Sequence, residues 1–205
     1  MSSSYNTVIF DLGGVLIDWN PEYLYRKIFP DEAEMKRFLT EVCHSDWNRE
    51  QDRGRLFADA VKECVAEFPQ YETQIRSYHE RWDEMLGGAI EENVQILESL
   101  WQKPDIHLYA ITNWSAETYP VARKRFPFLN YFEDIVVSGE LKLIKPDAEI
   151  YQTLLDRQPI APEQAIFIDD VLENVKGAQA LGIHGIHLTP ETDLRDALEE
   201  LGVLP

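Results

Sequence analysis

The stretch that decides the fold lies near the start of the chain, where residues 5–14 read YNTVIFDLGG. Its first part, YNTVIF, has the pattern of a short buried strand. Asp11 follows directly, and Gly13-Gly14 then breaks the strand, because adjacent glycines favour a turn. We therefore expect a strand over 5–10 that presents Asp11 at its carboxyl end.

Beyond residue 88, strands and helices alternate along the chain. Strands are expected over 106–111, 134–137, 165–169 and 185–188, and helices over 90–102, 116–125, 147–156 and 171–181. Alternation of this kind predicts right-handed βαβ units. The predicted fold class is therefore α/β, with a parallel sheet covered by helices.

A different pattern separates the first strand from the rest. Residues 20–85 carry Glu, Lys, Arg and aromatic side chains at helical spacing, without strand-like alternation. Helices are expected near 21–29, 31–43, 54–68 and 70–86. The predicted organisation is an α/β core formed by 1–17 and 88–205, with a helical domain over 18–87. Such an insertion lies over the carboxyl ends of the strands, where open α/β sheets bind ligands.

Charge and cysteine content limit the possible partners. Acidic residues outnumber basic ones 37 to 19, which gives a formal net charge of -18. Nucleic acid and anionic membrane surfaces need clustered Lys and Arg, so neither is expected as a partner. Cys43 and Cys64 form neither a disulfide framework nor a metal-ligand cluster, which favours a reducing compartment.

We expect no membrane span, no signal peptide and no recognisable oligomerisation motif. No apolar run approaches the ~20 residues of a membrane span. The start, MSSSYNT, lacks the basic flank and apolar centre of a signal peptide. We therefore expect a cytoplasmic protein. No heptad seam or dimer patch stands out, so the sequence predicts no particular oligomeric state.

Polar residues follow the predicted strands at the points where the strands end. They are Asp11 after VIF, Thr112-Asn113 after YAI, Lys145 in LIKPD and Asp169-Asp170 after IFI. Since the carboxyl ends of parallel strands meet at one edge of a sheet, these residues point to one pocket. Two adjacent acids repel each other unless a cation is present, so Asp169-Asp170 indicates a nearby positive charge.

Four segments resemble the ordered motifs of the haloacid dehalogenase-like (HAD) superfamily. They are VIFDLGGVL (8–16), AITN (110–113), LIKPDAEIY (143–151) and FIDDVLENVKGAQALGI (167–183). The resemblance covers the chain from residue 7 to about 190. It implies a Rossmann-like core with a small helical cap, and a Mg²⁺-dependent hydrolase. The expected activity is a phosphatase acting on a small phosphorylated metabolite such as a sugar phosphate.

The resemblance also implies roles for the residues that contact the phosphoryl group. Asp11 would be the nucleophile and form an aspartyl-phosphate, which divides hydrolysis into two easier steps. Lys145 would neutralise both Asp11 and the phosphoryl oxygens. The hydroxyl of Thr112 and the backbone N–H of Asn113 would hold the phosphoryl group.

The same resemblance assigns the metal ligands. Asp11, the backbone carbonyl of Gly13 and Asp170 would bind Mg²⁺ directly, while Asp169 and Asn174 would hold its waters. Mg²⁺ usually keeps several waters and takes only one or two carboxylates, which suits this set.

Gly13 departs from the usual pattern of the superfamily. Most of its phosphatases have a second Asp at this position, which protonates the leaving oxygen, and a positioned general acid contributes about 10²–10⁴-fold. A substrate whose oxygen departs as a stabilised anion, such as an anomeric sugar phosphate, needs less help. The chain resembles bacterial α-D-glucose-1-phosphate phosphatases in its DLG opening. It shares its DD-x-x-x-N ending with them and with the phosphatase domain of soluble epoxide hydrolases.

Two alternatives follow from Gly13. The chain could be an L-2-haloacid dehalogenase, since those enzymes also lack the second Asp. They work without a metal, however, and their fourth motif resembles SSN rather than the acids Asp169-Asp170. Alternatively, the chain could be a binding or regulatory protein that has lost catalysis, although the other catalytic positions are filled.

Specificity is expected to come from the insertion and from the residue after the phosphate-binding pair. Residues 44–54 form a polar run between two predicted helices. Within it, Trp47 could offer an apolar face to a sugar ring, with hydroxyls bound by Asn48, Asp52 or Arg53. Trp114 is the second candidate for a wall of the pocket.

Other aromatic and acidic residues are given structural roles. Tyr23, Phe38, Phe57 and Tyr78 are expected in the core of the insertion, because they recur at helical spacing. Asp18 and Trp19 lie where the chain leaves for the insertion, which favours a hinge.

Overall fold

The strands of the protein form two sheets. In the computed structural model, which describes residues 5–205, the strands are β1 (Thr7–Phe10), β2 (Ile17–Trp19), β3 (Leu86–Ala89), β4 (His107–Thr112), β5 (Asp134–Val137), β6 (Ala165–Asp169) and β7 (His184–His187). Five of them form one sheet in the order β5-β4-β1-β6-β7. Every neighbouring pair in this sheet is parallel, which confirms the predicted α/β fold class.

Helices connect these strands. They are α1 (Glu22–Tyr25), α2 (Glu32–Glu41), α3 (Ser45–Asp52), α4 (Phe57–Glu67), α5 (Glu72–Glu80), α6 (Glu91–Trp101), α7 (Tyr119–Arg125), α8 (Ser138–Leu141), α9 (Ala148–Arg157), α10 (Leu172–Gln179) and α11 (Leu194–Glu200). Short 3-10 helices cover Pro69–Tyr71, Trp82–Met85, Pro127–Tyr131 and Pro162–Gln164. No helix within residues 5–205 has the length and apolar character that crossing a membrane requires.

The parallel sheet is buried on both faces, as its apolar strands predict. All four residues of β1 are buried. Val8 and Phe10 belong to a cluster that includes Leu97 of α6, whereas Ile9 packs in a second cluster with Leu154 of α9. Successive side chains of a strand point to opposite faces, so β1 contributes to both halves of the core.

Helices α1 to α5 lie between β2 and β3, and we call residues 20–85 the helical insertion. Its core is aromatic: Tyr25 lies 4.8 Å from Phe38 and 6.2 Å from Tyr78, centroid to centroid. The predicted core positions of Phe38 and Tyr78 are confirmed, since both are at most 1% exposed. Tyr23 is 37% exposed, so its predicted core position is wrong. Its hydroxyl instead donates to Asp18 Oδ2 at 2.6 Å.

The two connections to the helical insertion pair with each other, which the sequence analysis missed. β2 and β3 form an antiparallel two-stranded sheet. The predicted domain boundaries at 18 and 87 fall inside these two strands. β3 reads LGGA, and its short, glycine-rich sequence carries no strand signal of its own.

Residues 44–54, predicted as a polar connection, contain helix α3, so that prediction is wrong. The helix begins after His44, whose Nδ1 accepts a bond from the backbone N–H of Trp47 at 3.3 Å. Only Trp47 and Gln51 of α3 are buried. Two buried positions one turn apart are too weak a pattern to predict a helix from apolar periodicity. Helices α8 and α11 also have no counterpart in the sequence analysis.

Candidate active site

The sheet brings the predicted site residues to one edge. Asp11 follows β1 directly, and Thr112 and Asp169 end β4 and β6, the two strands that flank β1. Phe10, the last residue of β1, pairs with Ala110 of β4 and Ile168 of β6. The carboxyl ends of the three strands therefore lie side by side, as predicted from the alternation of strands and helices.

Lys145 connects two of the acids at this edge. Its Nζ lies 2.9 Å from Asp11 Oδ1 and 2.7 Å from Asp169 Oδ2, and it donates to the Ile111 carbonyl oxygen at 2.9 Å. Its side chain has no solvent exposure. Burial lowers the pKa of Lys145, but Asp11 and Asp169 together outweigh burial and raise it above the usual range. The two carboxylates therefore favour the charged form of Lys145.

Asp11 is held through one of its two carboxylate oxygens. Oδ1 accepts from the backbone N–H of Leu12 at 2.7 Å and from Lys145. Burial raises the pKa of Asp11 and is opposed mainly by Lys145, while Asp169 adds to the rise. Both contacts use Oδ1, so Oδ2 is the oxygen that they leave for other partners.

Asp169 is bonded through both oxygens. Oδ1 accepts from the Val171 backbone N–H at 2.8 Å and from Asn174 Nδ2 at 3.0 Å, and Oδ2 accepts from Lys145. Asn174 also reaches Oδ2, at 3.1 Å. This arrangement fixes the position of Lys145, and it makes Asp169 and Asn174 supports of the site.

The acids at this edge fit a divalent cation. Asp11, Asp169 and Asp170 each offer a carboxylate oxygen, and these atoms lie within 4.8 Å of one another. Two carboxylates about 4 Å apart repel by about 4 kcal/mol at an effective dielectric of about 20. Lys145 contributes a single positive charge against three carboxylates. Hard oxygen donors with excess negative charge are the ligands that Mg²⁺ prefers.

The carboxylate of Asp170 packs against Gly14, where a side chain would block it. A Cβ at Gly14 would lie 2.3 Å from Asp170 Oδ2, and the residue has a φ of +73°, in the left-handed region that favours glycine. Burial, and next Asp169, raises the pKa of Asp170. The second glycine of the motif therefore leaves the space that the Asp170 carboxylate occupies.

A cavity of about 370 Å³ opens above Asp11, between the sheet edge and the helical insertion. Its lining residues are Asp11, Gly13, Gly14, Trp19, Asn48, Asp52, Phe57, Trp82, Asn113, Trp114, Thr118 and Asp170. Of the predicted site residues, Asp11, Gly13, Asn113, Trp114 and Asp170 are thus brought to the cavity. Lys145, Asp169 and Asn174 lie directly beneath it, bonded as described above.

Two predicted substrate-binding residues do not line the cavity as the structure describes it over residues 5–205. Thr112 is 1% exposed at the end of β4. Trp47 faces the core of the helical insertion instead: its ring lies 5.0 Å from Tyr78 and 6.3 Å from Phe57. The predicted contact of Trp47 with a sugar ring is therefore corrected. Because α3 is a helix, Asn48 and Asp52, one turn apart, face the cavity while Trp47 points away.

Asn113 and Trp114 are held by the segments around them. Asn113 Oδ1 accepts from the backbone N–H of Lys145 at 2.8 Å, and Nδ2 donates to the Lys145 carbonyl at 3.2 Å. The Trp114 backbone N–H donates to Ser138 Oγ at 2.8 Å, and its indole N–H donates to Thr118 Oγ1 at 3.1 Å. Asn113 thus positions Lys145, and the Trp114 ring forms a fixed wall.

The sequence analysis missed several residues of the cavity wall. Trp19, interpreted as a hinge, lines it, as do Trp82 and Thr118. Phe57 also borders the cavity, but its predicted core position is confirmed, since it is 1% exposed. Trp82 lies 5.5 Å from Trp114, centroid to centroid. Trp19, Trp82 and Thr118 lie close to the strands β2, β3 and β4, so the sequence could have suggested them as candidates. Which side chains face the cavity depends on how the helical insertion docks.

Comparison with known proteins places this site in a family. The haloacid dehalogenase-like hydrolase family matches residues 8–188. The chain belongs to this family and is a hydrolase. It is similar to the sesquiterpene phosphatase AstK of Aspergillus oryzae, with 27% identity over 191 residues, 92% of each chain. It is also similar to a phosphorylated carbohydrates phosphatase of Thermotoga maritima, with 28% identity over 184 residues, 88% of this chain and 83% of the relative.

A solved structure shows the same fold. A HAD family enzyme from Bacteroides thetaiotaomicron, in complex with magnesium and inorganic phosphate, superimposes with a TM-score of 0.71. The two chains are 23% identical, over 94% of this chain and 98% of the other. The fold predicted from the resemblance is thereby confirmed.

Proposed function

We propose that the protein is a Mg²⁺-dependent phosphatase of a small phosphorylated metabolite and that Asp11 is its nucleophile. The observation that carries the proposal is the buried contact of Asp11 with Lys145, 2.9 Å long, at the floor of a cavity that Asp170 also lines. The contact gives a carboxylate a fixed counter-charge beside an open space of suitable size for a small phosphate ester.

In the proposed reaction, Asp11 attacks the phosphorus and the bond to the leaving oxygen breaks, giving an aspartyl-phosphate and an alcohol. Water then attacks the phosphorus, and the acyl-phosphate bond breaks to release inorganic phosphate and restore Asp11. Lys145 reduces the repulsion between Asp11 and the phosphoryl oxygens. The backbone N–H of Asn113, a residue that lines the cavity, holds those oxygens in line.

Asp11, Asp170 and the Gly13 carbonyl would hold Mg²⁺, with Asp169 and Asn174 as supports. Bound there, Mg²⁺ would supply positive charge to the phosphoryl group. The helical insertion serves as a cap that excludes bulk water. The acid cluster supports the phosphatase over the dehalogenase and over a protein without catalysis, because three mutually repelling carboxylates are unfavourable unless they serve a cation.

The walls of the cavity suggest the organic part of the substrate. Trp19, Phe57, Trp82 and Trp114 give it aromatic surfaces, and Asn48 and Asp52 give it polar groups. Aromatic faces bind rings and hydrocarbon, and the polar groups bind hydroxyls. The phosphatases similar to this chain include one for phosphorylated carbohydrates and one for a sesquiterpene. We infer that ring-containing phosphates are turned over faster than short acyclic ones.

The test is phosphate release from a panel of sugar phosphates, prenyl phosphates, nucleotides and acyl phosphates, with Mg²⁺ or with EDTA. We expect activity that needs Mg²⁺ and that Asp11→Asn abolishes. Asp105→Asn is the matched control, since Asp105 is exposed near the opposite end of β4. Phosphate release that is unchanged in Asp11→Asn would overturn the proposal, and so would a wild type inactive on every phosphate. Chloride release from 2-chloropropionate in EDTA would favour the dehalogenase.

A further inference from the structure

The position two residues after the nucleophile, Gly13, has no acid but has space for one. A Cβ built on Gly13 would meet no atom within 4 Å. An alkyl phosphate loses an oxygen that must be protonated, and Gly13 cannot supply the proton. The donor must therefore come from another side of the cavity.

Asp52, the last residue of α3, is a carboxylic acid that the helical insertion contributes to the lining of the cavity. Its side chain is partly buried, and its Oδ2 accepts from Asn48 Nδ2 at 3.0 Å. Apart from the metal-binding acids Asp11 and Asp170, Asp52 is the remaining acid among the residues that line this cavity in the described part of the chain.

Contacts with the core hold Asp52 in a defined position relative to Asp11. Ser138 Oγ donates to the backbone carbonyl of Asp52 at 2.6 Å. One turn earlier, Arg49 Nη2 donates to the backbone carbonyl of Lys145 at 3.3 Å. Since Lys145 itself contacts Asp11, α3 is tied to the segment that carries the counter-charge of the nucleophile.

The environment of Asp52 favours its protonated form. Burial raises the pKa of Asp52 to about 8, the backbone N–H of Ser115 opposes this rise, and Asp11 adds to it. The charged and titratable groups that face Asp52 are Asp11 from β1, Arg49 from its own helix and Tyr78 from α5. An acid with a pKa near the working pH can both give and take a proton during one turnover.

We propose that Asp52 is the general acid and base of this site and takes the place of the acid absent at Gly13. This inference rests on the proposed phosphatase function. As Asp11 attacks the phosphorus and the ester bond breaks, the Asp52 carboxyl proton passes to the leaving oxygen and yields an alcohol. The Asp52 carboxylate then takes a proton from the attacking water, the acyl-phosphate bond breaks, and phosphate leaves with Asp52 protonated again.

The experiment compares Asp52→Asn with wild type on two esters that differ in their need for an acid. Asparagine keeps the shape of the side chain and its bond to Asn48, but it supplies no proton at ordinary pH. We expect the single-turnover rate of alcohol release from an alkyl phosphate to fall about 10²–10⁴-fold, and that of p-nitrophenol release from p-nitrophenyl phosphate to fall less than about 10-fold. These rates report formation of the aspartyl-phosphate and exclude its hydrolysis, which is the same step for both esters. Glu50→Gln, an exposed substitution on the same helix, is the control.

Two further measurements distinguish proton transfer from a structural role. Wild-type kcat on the alkyl phosphate should fall as pH rises through about 8, and this alkaline limb should be absent in Asp52→Asn. Adding Gly13→Asp to Asp52→Asn should restore activity on the alkyl phosphate. Equal losses on both esters, or no loss, would overturn the role of Asp52. Wild type inactive on both esters would instead overturn the proposed phosphatase function.

Discussion

On the core side of the cavity, Asp11, Lys145 and Asp169 form a continuous series of buried ion pairs held by neighbouring strand ends. On the side of the helical insertion, Asp52, Phe57 and Trp82 lie on elements that join the core through apolar packing, such as Trp82 with Trp114, and through hydrogen bonds. In the proposed function the first side acts on the phosphoryl group that all substrates share. The second contacts the organic group, which differs between substrates. Under that proposal, the sheet edge carries the chemistry common to all substrates, and the insertion carries the selection among them.

The largest effect is expected for Lys145→Met, which removes the buried ion pairs with Asp11 and Asp169 on the core side of the cavity. Removing one partner of a buried ion pair leaves charge uncompensated and costs about 3–5 kcal/mol. We expect activity to be lost and the free energy of unfolding to fall by about that amount at neutral pH. The fall should be smaller at acidic pH, where protonation of Asp11 and Asp169 removes the uncompensated charge. Urea unfolding measures the change. Lys124→Met, at an exposed position, is the control, and equal stability of the two variants would contradict the prediction.

Gly14→Ala should weaken metal binding on the same side. The methyl group would stand 2.3 Å from Asp170 Oδ2 and must displace that carboxylate. We expect a loss of about 10–100-fold in Mg²⁺ affinity, as for other disturbed supports of a metal ligand. Calorimetric titration measures it. Gly202→Ala is the matched control, since Gly202 shares a positive φ, of 71°, near the carboxyl terminus. Similar Mg²⁺ affinity in both variants would show that Asp170 is not a ligand.

Asp52→Asn should change how stability depends on pH. The pKa of Asp52 is about 8 in the folded protein, against about 3.9 in an unfolded chain. Between these values the folded state holds a proton that the unfolded state releases, so stability falls as pH rises. The variant lacks this contribution and should lose less stability than wild type between about pH 5 and about pH 8.5. Urea unfolding in EDTA tests this, with Glu50→Gln expected to behave as wild type.

The smallest effect is expected for Arg53→Gln, at the rim between the helical insertion and the core. Arg53 Nη1 lies 3.4 Å from Asp147 Oδ2, and the two side chains are 43% and 46% exposed. Surface ion pairs contribute about 0–1 kcal/mol. We expect stability and kcat close to wild type, measured by thermal unfolding and phosphate release. A large loss of kcat would contradict the prediction. It would mean that docking of the helical insertion on the core depends on this ion pair.

The core side could be predicted well from the sequence, and the insertion side poorly. Asp11, Lys145 and Asp170 each lie in a short motif next to a strand, and parallel strands place such motifs together whatever their separation. Trp47 and Asp52 illustrate the opposite case. Both lie in one polar run, and only the rotation of α3 decides that Trp47 enters the aromatic core while Asp52 enters the cavity.

The sequence by itself determined the parallel α/β core, the set of acids at its edge and the absence of an acid at Gly13. Local patterns carry these features, because strand ends and turn glycines are specified within a few residues. Only the tertiary structure decided which groups of the helical insertion face Asp11. That choice depends on long-range contacts, such as Ser138 with the Asp52 carbonyl, 86 residues apart, which no local pattern encodes.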